Sequence, residues 1–532
     1  MSPDAPDPAT PRWVEVYDTT LRDGSQLEGI SLTVDDKLRI AEQLDHLGVQ
    51  WIEGGWPGAN PKDDEFFRRA AKELHLTTST LVAFGSTRRP KGKVDDDATL
   101  RNLVEAGTSA VCIVGKCWDY HVTEALLTTL DEGVAMVADS VRFLTGEGLG
   151  VLFDAEHFFD GYRRNPEFSL RVLEAAAEAG ASTLVLCDTN GGSLPFDVER
   201  AVGEVVAHFG DDVKIGVHLH DDAGCGVANA LAGVRAGAHQ VQGTINGYGE
   251  RTGNCNLTTI IPNLELKMGV RCLPEGRLER LTSVSHHIAE LVNLAPNPQA
   301  PFVGTSAFAH KAGLHVSAIA RRPDAYEHVD PARVGNGTRF VVSELAGRST
   351  LKIKAEELGL DLNPVQLNGV VERLKELEHA GYHFEAADGS LELLMRRAAG
   401  WEPDFFRVES YRVITDDLPG GQLVTEATVK LHVDGERVIR TAEGNGPVNA
   451  LDNALRAAIT ARYPALERVH LTDFKVRVLD TSKATGAVTR VLIDSTDGER
   501  SWSTIGVSEN IIEASWQALY DSVVYGLLHA AS

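Results

Sequence analysis

Two histidines set two residues apart, His218 and His220 in Val217-His-Leu-His-Asp-Asp-Ala-Gly224, are the first residues able to do chemistry together. On a strand, side chains two apart leave the same face, so both imidazoles can serve one centre. They make only half of a metal site. Asp23 in Asp18-Thr-Thr-Leu-Arg-Asp-Gly24, and Glu250 or Asn254 in Gly249-Glu-Arg-Thr-Gly-Asn254, can supply the other half. Carboxylate, imidazole and amide donors together suit Mn2+, Mg2+, Zn2+ or Co2+, with positions left open for a chelating substrate. Each residue also has a plainer reading: Asp and Asn beside Gly form turns, and Glu250 can pair with Arg251 at the surface. Only their convergence makes them ligands.

Such a centre would suit a reaction that forms and holds a negative oxygen, an enolate or an alkoxide. Arg22 directly precedes Asp23, so its guanidinium can sit over a metal-bound substrate oxygen; the alternative is an ordinary salt bridge. Glu156, in Leu152-Phe-Asp-Ala-Glu-His-Phe-Phe159, lies among apolar neighbours that would disfavour its charged form, and it could orient substrate or exchange protons unless it is a surface loop carboxylate. Thr189, in Asp188-Thr-Asn-Gly-Gly192, could donate its hydroxyl to a substrate carboxylate, although the same run is good turn chemistry. His310 and His315, in Phe308-Ala-His-Lys-Ala-Gly-Leu-His315, read from spacing alone as structural; the other reading makes His310 an acid–base residue delivered from another segment.

These groups must be held by a scaffold. From Val14 to about Met268, short apolar runs alternate with amphipathic stretches, the pattern of repeated strand-then-helix units. Eight strands are predicted: Val14–Asp18, Trp51–Gly55, Thr80–Phe84, Ala110–Val114, Gly150–Asp154, Thr183–Cys187, Lys214–His218 and Gln240–Thr244, with helices such as Thr33–Leu47 between them. Eight units point to a closed (β/α)8 barrel of the TIM type. An open doubly wound sheet would carry a Gly-rich phosphate loop after its first strand, where this chain has Asp18-Thr-Thr-Leu-Arg-Asp-Gly-Ser-Gln26. Closure also brings the first strand beside the eighth, gathering Asp23, His218, His220 and residues 250–254 in one sector. Phe153, Phe158 and Phe159, near the fifth strand, are candidates for narrowing a substrate pocket there.

The rhythm then changes. Residues 1–270 read as the catalytic barrel, 271–400 as helical linker subdomains rich in Pro and Gly turns, and 401–532 as an α+β domain containing an internal repeat. In the repeat, strand, Asp434-Gly-Glu-Arg437, strand, glycine turn and helix recur around Asp497-Gly-Glu-Arg500. At 532 residues the length allows several cores, and 43% hydrophobic with 24% charged residues is ordinary for a globular protein. A net charge of -25 argues against nucleic acid or an anionic membrane as partner. Six scattered cysteines without a CxxC pair, and a start lacking a basic-then-apolar segment, predict a cytoplasmic address.

Taken in order, Asp18-Thr-Thr-Leu-Arg-Asp-Gly24, Val217-His-Leu-His-Asp-Asp-Ala-Gly224, Gly249-Glu-Arg-Thr-Gly-Asn254 and Ala309-His-Lys-Ala-Gly-Leu-His315 resemble the signature motifs of the 2-isopropylmalate, homocitrate and citramalate synthases. Asp154-Ala-Glu-His-Phe-Phe-Asp-Gly-Tyr162 and Cys187-Asp-Thr-Asn-Gly-Gly192 look most like the citramalate branch, and the C-terminal module is similar to the family's regulatory domain. The resemblance implies an acyltransferase that condenses acetyl-CoA with pyruvate to (R)-citramalate on the way to isoleucine. It implies Asp23, His218 and His220 as ligands of a divalent metal, with Asn254 nearby or weaker, and Arg22 stabilising the enolate or the ketone oxygen. Glu156 and His310 would be the acid–base pair, Tyr326 would help form the site, and Gln26 would help place acetyl-CoA. A homodimer and feedback inhibition by a branched-chain amino acid, isoleucine first, are implied as well. Ser25 departs from the glutamate or asparagine that many relatives carry after Arg-Asp-Gly. Rival readings keep the chemistry but change the oxo acid, as in 2-isopropylmalate or homocitrate synthases. More distant rivals are a hydroxymethylglutaryl-CoA lyase, which needs no repeated C-terminal domain, and a non-catalytic metabolite sensor.

Overall fold

The computed structural model describes residues 12–310, 318–319, 322, 324, 326–340, 348–384, 387–418, 422–479 and 486–530. The chain divides into two compact units. One runs through the barrel to Phe308 and takes back His328–Thr338; the other holds Ala309–Glu327 and the chain from Arg339 onward.

In the first unit, β1 (Glu15–Asp18), β2 (Trp51–Gly55), β3 (Thr80–Ser86), β4 (Ala110–Lys116), β5 (Gly150–Glu156), β6 (Thr183–Asp188), β7 (Lys214–Leu219) and β8 (Gln240–Gly243) close a parallel barrel in chain order. β1 meets β8 with Glu15 opposite Gln240 and Asp18 opposite Gly243. The expected (β/α)8 architecture is therefore present, with several strands running one to two residues further than the apolar runs alone suggested. The intervening helices start where side chains can satisfy their free N–H groups. Thr33, for example, caps Val34–Leu47 in a reciprocal box with Asp36, and Gly48, at φ 95°, ends it in the left-handed region.

Strand parity separates two cores. Val16, Ile52, Ala83, Val111, Ile113, Val151, Phe153, Ala155, Leu184, Leu186, Ile215, Val217, Leu219 and Val241 join the large cluster shared with the helix layer. The residues between them face the barrel axis, where Tyr17, Val82, Phe84, Ala110, Cys112 and Leu152 pack together. That parity corrects the expectation for the aromatic residues near β5. Phe153 points into the helix layer, and Phe158 and Phe159 sit in the same cluster, with Phe158 stacked on Tyr162, so none of the three lines the barrel interior. Tyr17 and Phe84 are the buried aromatic side chains on the inner side.

The second unit contains a short parallel pair, β9 (Ala309–His310) and β10 (Arg339–Phe340), followed by helices Arg348–Glu357, Pro364–His379 and Asp388–Ala398. The repeat then appears, with Gly506 inside its last strand and not in a turn after it. β11 (Arg407–Leu418), β12 (Gln422–Val433) and β13 (Glu436–Gly444) form one antiparallel sheet followed by helix Pro447–Ile459, while β14 (His470–Val478), β15 (Thr489–Thr496) and β16 (Ser501–Ser508) form another followed by Ile511–Ala530. Each first strand carries a register shift near its start, at Val408/Ser410 and Leu471/Asp473. One core, including Val429, Leu431, Leu451, Leu455, Ile493, Leu519 and Val523, joins the two halves. The sequence pattern did not reveal the short β9–β10 pair, where Ala309-His310 reads as a helix start, nor β14, which is exposed along its whole length. Among the described residues, no helix is long and apolar enough to cross a membrane.

Candidate active site

The turn after β1 is tied down before it presents any ligand. Asp18 accepts from the Thr20 N–H and hydroxyl at 2.9 and 2.8 Å, and Thr20 Oγ1 in turn accepts from the Ile245 N–H at 2.9 Å, joining this turn to the end of β8. The Arg22 and Gly24 N–H groups both donate to the Thr19 carbonyl at 3.1 Å, so Arg22 and Asp23 are held over the barrel mouth. Gln26 lies at the exposed end of the same turn, and Ser25 donates its hydroxyl to the Arg22 carbonyl.

The loop after β8 folds back on the end of β7. Cys255 N–H donates to Leu219 O at 2.9 Å, Asp221 N–H donates to Gly253 O at 3.0 Å, and His220 and Asn254 form a bridge. Gly249 makes room for this: at φ 156°, a Cβ there would run into the Asn254 amide oxygen.

Asp23, His218, His220 and Asn254 come together. His218 Nε2 lies 3.5 Å from Asp23 Oδ2, 3.4 Å from His220 Nε2 and 3.2 Å from Asn254 Nδ2. All four residues are buried, and Asp23 Oδ2 and Asn254 Oδ1 have no hydrogen-bond partner. A buried acceptor left unpaired costs about 1–3 kcal/mol, so two beside two imidazoles suit a cation. Among the described residues no three His, Cys, Asp or Glu side chains close around a common centre. The fit to a metal therefore rests on the orphaned oxygens and on the charge balance.

That balance favours a cation. Asp23, Glu53 and Asp154 are buried carboxylates acting on one guanidinium, Arg22. Burial pushes Glu53 up to about 7, partly offset by Arg22. Asp154 is likewise raised by burial. Asp23 also suffers burial, but Arg22, His218 and His220 together hold it below the usual carboxylate range. His220 is pushed down to about 4, by burial first and by His218 next, so it is neutral near pH 7, the form that ligates. Its Nδ1 accepts from Arg251 Nη2 at 3.1 Å.

Arg22 does more than neutralise Asp23, with which it pairs. Its Nε donates to Glu53 Oε1 at 2.5 Å, Glu53 Oε2 accepts from the Tyr17 hydroxyl at 2.6 Å, and the guanidinium lies 3.7 Å over the Phe84 ring. The remaining barrel candidates stand at the strand ends. Glu156 closes β5 half-buried and pairs with Lys116 at the end of β4, so an ammonium is its direct neighbour where apolar residues were expected. Thr189 Oγ1 accepts from the His157 N–H at 2.9 Å, leaving the hydroxyl proton able to donate elsewhere. Glu250 is exposed and lies 3.4 Å from Arg251, the plainer of its two readings.

His310 and Tyr326 belong to the other unit. His310, on β9, has its Nε2 3.5 Å from Glu327 Oε1, and Tyr326 is half-exposed. His315 lies outside the described residues. Three further buried, inward-facing residues, Glu53, Asp154 and Gln242, are marked in the sequence only by a polar side chain at inward parity within an apolar strand.

Known proteins match along the whole chain. The HMGL-like family covers residues 13–288, the homocitrate synthase post-HMGL domain-like family 302–381, and the LeuA allosteric (dimerisation) domain 385–527. The (R)-citramalate synthase of Streptomyces coelicolor is 55% identical over 518 residues, covering 97% of this chain and 97% of its own. That of Aquifex aeolicus is 51% identical over 522 residues, covering 97% and 98%, and that of Sulfolobus acidocaldarius is 46% identical over 517 residues, covering 97% of both. With the closed barrel, the converging donors and the repeated C-terminal module all in place, identity of this order from end to end means that the chain belongs to the (R)-citramalate synthase family.

Proposed function

We propose that this chain condenses acetyl-CoA with pyruvate to give (R)-citramalate and free CoA, a Claisen-type transfer in which the acetyl group becomes an alkyl branch. The reading is carried by end-to-end identity to (R)-citramalate synthases, together with Asp23, His218, His220 and Asn254 meeting around two unpartnered oxygens. These four residues would hold Mn2+, Mg2+, Zn2+ or Co2+, which when bound supplies a Lewis acid toward the oxo acid's oxygens.

The chain's own groups do the rest. Arg22, braced by Glu53 and Phe84, offers N–H donors to the ketone oxygen or the enolate. Thr189 offers its hydroxyl proton to the pyruvate carboxylate, and Gln26 helps place acetyl-CoA. Glu156 and His310 share the proton traffic: one takes a proton from the acetyl methyl, the other returns one to the new alkoxide. Tyr326 helps form the site. The carbon–carbon bond joins the acetyl methyl carbon to the ketone carbon of pyruvate, and water then cleaves the thioester to a carboxylate and the CoA thiol.

In this reading residues 1–270 are catalytic, 271–400 are a linker, and 401–532 bind a branched-chain amino acid, isoleucine first, as feedback inhibitor of isoleucine synthesis. The working form is a cytoplasmic homodimer. The test is thiol release from acetyl-CoA by Mn2+-loaded protein with pyruvate, 2-oxobutyrate, 2-oxoisovalerate or 2-oxoglutarate, with His218→Ala as control. Release with pyruvate foremost, abolished in the control, supports the reading. Another preferred acceptor replaces the substrate, and no release with any acceptor sinks the condensation.

A further inference from the structure

Below the four donors, a string of buried hydrogen bonds along the inner barrel wall ends on His218. Gln242 Oε1 lies 2.8 Å from His218 Nδ1, while Gln242 Nε2 lies 3.3 Å from Asp154 Oδ1 and 3.4 Å from Gln240 Oε1. Gln242 is fully buried, and Asp154 and His218 are nearly so. Gln240 donates its own NH2 to Glu15 Oε2 at 3.3 Å, so its amide oxygen faces Gln242, and the Gln242 amide turns its NH2 toward Gln240 and Asp154 and its oxygen toward His218. An amide oxygen has no proton to give. His218 therefore carries its proton on Nδ1 and keeps the Nε2 lone pair, and Nε2 is the nitrogen that faces Asp23, His220 and Asn254.

We infer that Gln242, oriented by Asp154, is a positioning residue of the cation site that fixes His218 in the tautomer able to ligate through Nε2. The inference rests on the reading of Asp23, His218, His220 and Asn254 as ligands. Its physical content lies in the competing state. With no acceptor at Nδ1, the imidazole proton can move to Nε2 and turn toward Asp23 Oδ2, 3.5 Å away. That hydrogen bond would occupy the lone pair and the carboxylate oxygen that a cation needs. Gln242 removes the option without contributing a ligand itself.

Three variants of the full chain separate the possibilities: Gln242→Met keeps volume and removes the acceptor, Gln242→Glu keeps an acceptor, and His218→Ala removes the ligand. Mn2+ is titrated calorimetrically into metal-free protein, and nitrogen NMR of 15N-histidine-labelled metal-free protein reads the His218 tautomer. The inference expects Gln242→Met to bind Mn2+ about 10–100-fold more weakly, with His218 shifted toward the Nε2–H form and most activity regained in excess Mn2+. Gln242→Glu, which loses the NH2 facing Asp154 but still accepts at Nδ1, should keep His218 in the Nδ1–H form and bind Mn2+ more tightly than Gln242→Met. Wild-type affinity in Gln242→Met, or equal losses in both Gln242 variants with a shared fall in melting temperature, overturns the inference. If His218→Ala binds Mn2+ like the wild type, the ligand reading itself falls. If His218→Ala loses binding while Gln242→Met does not, only the role of Gln242 falls.

Discussion

Arg22 Nε donates to Glu53 Oε1 at 2.5 Å, and Glu53 is wholly buried on the inner face of β2. The guanidinium is thus aimed by a carboxylate and by the Phe84 face beneath it, leaving little freedom to turn. A lysine ammonium cannot serve Glu53 and Asp23 with the same planar fork. Arg22→Lys should therefore lower kcat for thiol release by about 100-fold or more, while calorimetric Mn2+ affinity changes far less. Equal losses of rate and Mn2+ affinity would show that Arg22 acts through the ligands and not on the substrate.

The two buried acids near β1 and β2 set a pH dependence whose sign can be worked out. Asp18 is pushed up to about 7 by burial against its Thr20 hydrogen bonds, and Glu53 to about 7 by burial against Arg22. Unfolded, both would ionise near the ordinary carboxylate range. Between that range and pH 7 the folded chain holds more protons than the unfolded one, so stability is highest at the low end and falls as pH rises. Each such group contributes a slope of about 1.4 kcal/mol per pH unit at most. Urea unfolding of metal-free Asp18→Asn between pH 5 and 8 should show a flatter decline than wild type; an unchanged slope would mean that Asp18 ionises normally.

Cation removal gives a second thermodynamic handle. Asp23 Oδ2 and Asn254 Oδ1 are buried acceptors without hydrogen bonds, and a bound cation would satisfy both. A ligand at 100 times its Kd stabilises by about 2.7 kcal/mol. Thermal unfolding should therefore move upward with Mn2+ and back with a chelator, and Asp23→Asn should remove the increment. A chelator-insensitive melting temperature in the wild type would contradict the proposed donor set.

Much of this arrangement was legible because its parts announce themselves locally. The barrel strands are short apolar runs between turn residues, and Asp23, His218, His220 and Asn254 lie in turn-rich motifs at strand ends. Glu53, Asp154 and Gln242 were not legible, because each is one polar side chain inside an apolar run and acquires meaning only from inward parity. The same parity turns Phe153, one of three candidates for narrowing the pocket, away from it, because it alternates with the inward-facing Leu152 and Asp154. β14 carries a strand's alternation in Phe474-Lys-Val-Arg-Val478, but its apolar side chains stay exposed at a sheet edge, so no apolar run set it apart from a loop. The partners of His310 and Tyr326 depend on how segments distant in sequence assemble, which spacing does not encode.

The repeat in the second unit makes a paired prediction. Gly444 ends β13 where a Cβ would meet the Ala450 backbone nitrogen, and Gly506 lies in β16 where a Cβ would meet the Ala514 carbonyl oxygen. Both are places where a strand passes its own following helix, Pro447–Ile459 or Ile511–Ala530, at backbone contact. Backbone cannot yield as a flexible side chain can, so Gly444→Ala and Gly506→Ala should each destabilise by about 1–3 kcal/mol. Gly446, two residues on, faces open space, and its substitution by Ala should cost well under about 1 kcal/mol. Chemical denaturation of the three variants checks this. Similar losses at 444 and 506 with little change at 446 would mean that the halves share one strand-to-helix packing solution, whereas a loss at only one would mean that the repeated sequence pattern conceals two different ones.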